Sequence, residues 1–124
     1  MSLQRLVIEG SLLSLNEVIN TAKQHWSLYA KEKKQRTYSV GVLAMAAGLK
    51  PVKTPPLIRI WFFAKDKRIE KDNLLINTKY VLDGLVEGRV LEDDRWDQIG
   101  DLDFRFRIDR DRPRIEVEII EEPV

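Results

Sequence analysis

Leu102-Asp103-Phe104-Arg105-Phe106-Arg107-Ile108-Asp109 is the stretch that decides the fold class of this chain. Apolar side chains at 102, 104, 106 and 108 alternate with charged ones at 103, 105, 107 and 109, the two-residue period of a strand with one face in a core and one in water. After a turn over Asp109 to Arg112, Ile115, Val117 and Ile119 alternate with Glu116 and Glu118, so the two runs predict a C-terminal β-hairpin. Upstream, Leu57 to Phe63 is mostly apolar and rich in aromatic residues, as expected of a central strand, and Arg5 to Glu9 alternates enough for a short one. Ser14-Leu15-Asn16-Glu17 has capping-box spacing and opens a helix expected to run past Lys34. Gly41 or Gly48 breaks or ends a second helical stretch, the three prolines in Lys50 to Pro56 mark a loop, and Asn73 to Val86 is the next helix. The expectation is an α+β fold: a small mixed sheet of about four strands, helices on one face and a C-terminal hairpin.

A chain of 124 residues with 44% hydrophobic content supports one core, and residues 1–124 are expected to form a single domain. Its longest uncharged stretch, Thr37 to Leu49, is shorter than a membrane span, and no charged-then-apolar leader precedes it, so a soluble cytoplasmic protein is expected. With no cysteine and one histidine, His25, the chain has no thiolate chemistry and no His-rich zinc site; any metal must be held by oxygen. Charge is uneven. Residues 1–68 carry 12 Lys/Arg against 4 Asp/Glu, whereas residues 69–124 carry 9 against 16, although the whole chain sums to +1. Either the basic half grips a polyanion while the acidic half binds cations, or the surface is simply dipolar.

The acidic half has internal order. Glu70-Lys71-Asp72-Asn73 is followed by a helix-patterned segment and then by Asp93-Asp94. Gathered carboxylates repel one another, and a hard cation such as Mg²⁺ is their usual partner. On a wheel of about 100° per residue, Leu74, Leu75, Thr78, Val81, Leu82 and Leu85 make a core stripe. Asp72, Lys79 and Asp83 line up on another face, either as a functional stripe or as ordinary helix surface with an acid at its start.

Glu70-Lys71-Asp72-Asn73, Lys79, Asp83-Gly84-Leu85-Val86 and Gly88-Arg89-Val90-Leu91-Glu92-Asp93-Asp94-Arg95-Trp96, in that order, resemble the RusA family of Holliday junction resolvases, most closely the versions carried by phages and prophages of Gram-positive bacteria. The likeness extends to Ser14-Leu15-Asn16-Glu17, to Ala30-Lys31 with Lys33-Lys34 and to the strand before Lys65. It implies a homodimeric, Mg²⁺-dependent endodeoxyribonuclease, with Mn²⁺ able to substitute, acting on branched DNA and using no small-molecule cofactor. It assigns metal ligation and catalysis to Glu70, Asp72 and Asp94, a catalytic role to Lys79, and to Asp93 a place beside the ion or its bound water. Glu70 stands where the family usually has Asp, and Lys79 stands three residues further on than in the best-known motif, at whose position is Ile76.

Metal-assisted hydrolysis of a phosphodiester suits such residues, since an oxygen-bound ion activates water and offsets developing charge. Lys79 would offset charge on the phosphate. No base-reading module is present, so DNA is expected to be recognised by shape, with Lys23, Lys31, Lys33, Lys34, Arg36, Lys65, Lys67 and Arg68 as phosphate contacts. Trp26 and Tyr29 are expected in core or dimer packing, and Trp96 is expected to brace the loop that carries Asp94. Two other classes stay open: a junction-DNA-binding protein that has lost cleavage, and a protein-interaction domain stabilised by a structural metal.

Overall fold

The computed structural model describes residues 2–10 and 26–122. Its elements in chain order are strand β1 (Ser2–Glu9), helix α1 (Trp26–Ala46), strand β2 (Leu57–Ala64), the single turn α2 (Lys71–Leu74), helix α3 (Asn77–Glu87), and strands β3 (Leu102–Ile108) and β4 (Arg114–Glu121). The capping box at Ser14 and the side chains of Trp26 and Tyr29 lie outside the described residues. Gly41 sits inside α1, which continues to Ala46, and Gly48, at φ +74°, turns the chain out of the helix in a conformation that glycine adopts without strain.

The four strands form one mixed sheet in the order β1-β4-β2-β3, the α+β architecture expected. The predicted hairpin is not formed. Both its strands exist, but β2 lies between them, pairing parallel with β3 (Ile60 with Phe104) and antiparallel with β4 (Ile60 with Val117). The reason lies in β2, whose Ile58, Ile60 and Phe62 are fully buried and whose backbone requires a partner on each edge. Asp109 N–H donates to the Ala64 carbonyl at 2.8 Å, so β3 stays with β2 to its end, and the chain crosses that end before returning as β4. In consequence β3 is an edge strand, with Phe104 and Phe106 half-buried and Leu102 and Ile108 exposed, while β4 is internal and buries Ile115, Val117 and Ile119.

Both longer helices contribute to the apolar core, α1 through Val40 and Ala44 and α3 through Val81, Leu82 and Leu85, together with Leu6 of β1. Their crossing depends on Gly84. A Cβ there would stand 2.3 Å from the Val40 side chain, so the glycine permits an approach that any larger residue would block. Among the described residues, no helix is long and apolar enough to cross a membrane.

The helix expected over Asn73 to Val86 is divided. Asn73, Leu75, Thr78 and Lys79 each donate a backbone bond to the carbonyl three residues back, a tighter winding that separates α2 from α3. Asn77 resolves the break: its buried side-chain amide donates to the Leu74 carbonyl at 2.9 Å. The predicted apolar stripe survives, with Leu74, Val81, Leu82 and Leu85 buried and Leu75 and Thr78 half-buried.

Candidate functional site

The C-terminus of α3 builds the first part of the site. Arg89 takes a left-handed conformation (φ 63°), Val90 and Leu91 N–H both bond to the Leu85 carbonyl, and both side chains bury almost completely. With the chain reversed and pinned by those two residues, Asp94 returns to α3. Its Oδ2 accepts a bond from Lys79 Nζ at 2.9 Å, and the same ammonium lies 3.1 Å from Asp83 Oδ1, one helical turn along. Lys79 thus ties together three pieces of the motif series that are separated in the chain by up to fifteen residues. The Asp94 hydrogen bond, followed by that of Asp83, raises the Lys79 ammonium above the ordinary lysine range, and the Lys79 bond holds the Asp94 carboxyl below its own. Asp93 braces this loop: its Oδ1 accepts the Asp94 backbone N–H at 2.7 Å, and its Oδ2 lies 3.0 Å from Arg95 Nε.

Glu70 and Asp72 form a separate part. Glu70 precedes α2 without a side-chain capping bond, Asp72 lies in its first turn, and both side chains are exposed. They line an open groove of about 830 Å³ with Asp66, Lys67, Lys71 and, from β3, Phe106 and Arg107. The wheel had placed Asp72 in line with Lys79, but the break in the helix intervenes and the lysine's partners are Asp83 and Asp94.

The oxygen donors of Glu70, Asp72, Asp93 and Asp94 suit Mg²⁺ chemically. As placed, however, no three acidic or histidine side chains among the described residues converge on one point where an ion could sit. The cation on Asp94 is the Lys79 ammonium.

The predicted phosphate contacts are dispersed. Lys31, Lys33 and Lys34 line one groove on α1 with Tyr38 and Glu87, whereas Arg36 lines a different cavity against Ile8 and Tyr80. Lys65, Lys67 and Arg68 are exposed in the turn after β2, where Lys67 meets the Glu70 groove and Arg68 lies 3.8 Å from Asp66. Lys23 and His25 fall outside the described residues.

Trp96 corrects an expectation. It does not brace the acidic loop, since 98% of its surface is exposed. The bracing comes instead from Asp93, Val90 and Leu91. The alignment of Asp83 with Lys79 expected from the helix wheel is borne out by their ion pair, whereas Arg107 was not expected as a groove residue; the alternation of β3, which turns it outward with Arg105, was the available signal. No protein-family model and no curated protein matches this chain.

Proposed function

We propose that this protein is a Mg²⁺-dependent, structure-specific endodeoxyribonuclease that resolves four-way DNA junctions. The observation that carries the reading is the Lys79 ammonium held between Asp83 and Asp94, because it joins into one locus the lysine, Asp-Gly-Leu and Asp-Asp parts of a series that resembles that of the RusA resolvases. A lysine more than half exposed and fixed by two carboxylates presents a cation to an incoming phosphate without the cost of ordering it afresh. Glu70 and Asp72, exposed beside Lys67, Lys71 and Arg107, offer oxygen donors among cations that can hold a DNA strand. Mg²⁺, when bound, supplies an activated water and neutralises charge on the phosphate. Glu70, Asp72 and Asp94 would hold the ion, with Asp93 beside it, although as placed they do not surround one point, and Lys79 would offset charge on the phosphate. A twofold dimer would present two sites to the two symmetry-related strands of a junction, and we take the homodimer as the working form.

One observation favours a second reading. The carboxylates do not converge as placed, which suits a protein that binds junctions without cutting them. Cleavage of a labelled synthetic four-way junction, with Mg²⁺ or EDTA and with a linear duplex of the same sequence beside it, separates the two. Symmetric nicks near the crossover, only with Mg²⁺, are the expected result. Tight binding without nicks across a range of Mg²⁺ and Mn²⁺ would favour the binding protein, and no preference for the junction over the duplex would sink both.

A further inference from the structure

Trp96 is the most exposed large apolar side chain among the described residues, at 98%, where the next, Met45, reaches 65%. An indole left in water forgoes the burial that usually holds it, so its setting bears on its use. The setting is anchored. Trp96 sits inside a turn closed by Gln98 N–H donating to the Arg95 carbonyl at 2.9 Å, between the buried anchors Leu91 and Ile99. Gly100 N–H then bonds to the Pro56 carbonyl at 2.8 Å, and that same oxygen would lie only 3.0 Å from any Cβ at position 100, so the loop is seated against the chain before β2. The ring therefore stands out from an anchored turn, two residues from the carboxylate that Lys79 holds.

Its neighbours indicate the kind of partner. Arg95 and Asp97 are exposed, Asp93 and Gln98 are half-buried, and no other exposed large apolar residue lies between Met45 and Leu102 in the chain. A protein interface needs a contiguous apolar centre ringed by polar groups, and a ring flanked in the chain by exposed Arg95 and Asp97 does not by itself provide one. A nucleobase does fit such a ring, because one flat aromatic face suffices to stack on it. Bases with an open face occur where duplex stacking is interrupted, which is the condition at a branch point.

We propose that Trp96 is a stacking residue that takes up an unstacked DNA base at the branch, beside the Lys79–Asp94 locus, and so contributes to the preference for branched over linear DNA. This rests on the junction reading given above and assigns it a recognition element. A stacking ring neutralises no phosphate, so its removal lowers affinity without altering the salt dependence. Binding of a labelled four-way junction and of the matching linear duplex is measured by anisotropy in EDTA, for the wild type, Trp96→Ala and Trp96→Phe, at several salt concentrations. Size-exclusion mass and thermal melting are recorded alongside.

Trp96→Ala is expected to weaken junction binding by about 5- to 150-fold, the range found for single base–aromatic stacks. Duplex binding, salt slope, mass and melting temperature should stay as in the wild type, and Trp96→Phe should recover part of the loss. Wild-type junction affinity in Trp96→Ala overturns the inference and leaves the resolvase reading standing. So does a fall in mass, which would place the ring between two copies of the chain. A wild type that does not prefer the junction overturns both.

Discussion

Two charged regions of this molecule use similar residues in opposite ways. On the sheet face turned away from the helices, every prominent charge has a close partner: Arg59 Nε meets Asp103 Oδ2 at 2.7 Å, Arg114 bonds Asp109 and Glu116 at 2.7 Å each, and Glu118 accepts the Trp61 indole N–H at 2.6 Å with Arg5 on its other oxygen at 3.2 Å. Arg114 also lies over the ring of Phe63. At the Lys79 locus one ammonium serves two carboxylates, leaving a negative surplus, and no hydrogen bond or ion pair among the described residues engages the side chain of Glu70 or Asp72. Charges that satisfy one another support a fold, whereas charges left with a surplus are available to a ligand. On the proposed reading, the contrast separates ionic groups that hold the sheet from those that would serve the site.

The sharpest way to break that contrast is to neutralise one carboxylate in each region. Asp72→Asn and Asp94→Asn should each lower junction cleavage by roughly a hundredfold or more, the scale at which charge stabilisation is lost from an active site, with junction binding little changed. Glu118→Gln should cut at the wild-type rate. Loss of junction binding equal to the loss of cleavage in both aspartate variants would contradict the division between grip and chemistry.

Stability should respond in the reverse order. Glu118→Ala leaves Trp61 Nε1 and Arg5 without their acceptor and should cost about 1.5–3 kcal/mol in urea unfolding. Gly84→Ala tests the packing beneath the Lys79 locus, since the added methyl meets Val40; a loss of about 1–3 kcal/mol is expected despite alanine's better helix propensity. A neutral or stabilising result would show that the two helices can separate freely.

The smallest effect is on pH dependence. Asp94 is held below the ordinary carboxyl value, so its contribution is present above about pH 4 and is lost as pH falls through the lowered folded value. Lys79 is raised, so its contribution is present below about pH 10 and is lost as pH rises through the folded value. Both groups are partly exposed, which limits the pair to about 1 kcal/mol or less. Lys79→Ala should flatten both limbs of the stability profile; an unchanged acid limb would mean that Asp94 gains nothing from the lysine.

Much of the fold was legible because periodicity reports faces. The alternation of Leu102 to Asp109 and of Ile115 to Ile119 identified two strands, the apolar run from Leu57 identified a central one, and the stripe through Leu74, Val81, Leu82 and Leu85 marked the buried side of α2 and α3. The same reasoning failed on the hairpin, because a period of two says which way a side chain points and nothing about which strand lies alongside. It failed on the continuous helix because the break depends on one buried amide, Asn77, finding the Leu74 carbonyl.

The sequence by itself determined the local structure of this protein and the inventory of its candidate site: strand faces, the apolar helix stripe, the loop of prolines, the carboxylates and the lysine. These follow from the chemistry of neighbours a few residues apart. Only the tertiary structure decided that β2 would separate β3 from β4, that Lys79 would bond Asp94 rather than align with Asp72, that Glu70 and Asp72 would open onto a groove of their own, and that Trp96 would stand in water. Each of those outcomes depends on surfaces meeting after long stretches of chain have been packed, where burial of a strand edge or a helix crossing at Gly84 outweighs any local preference.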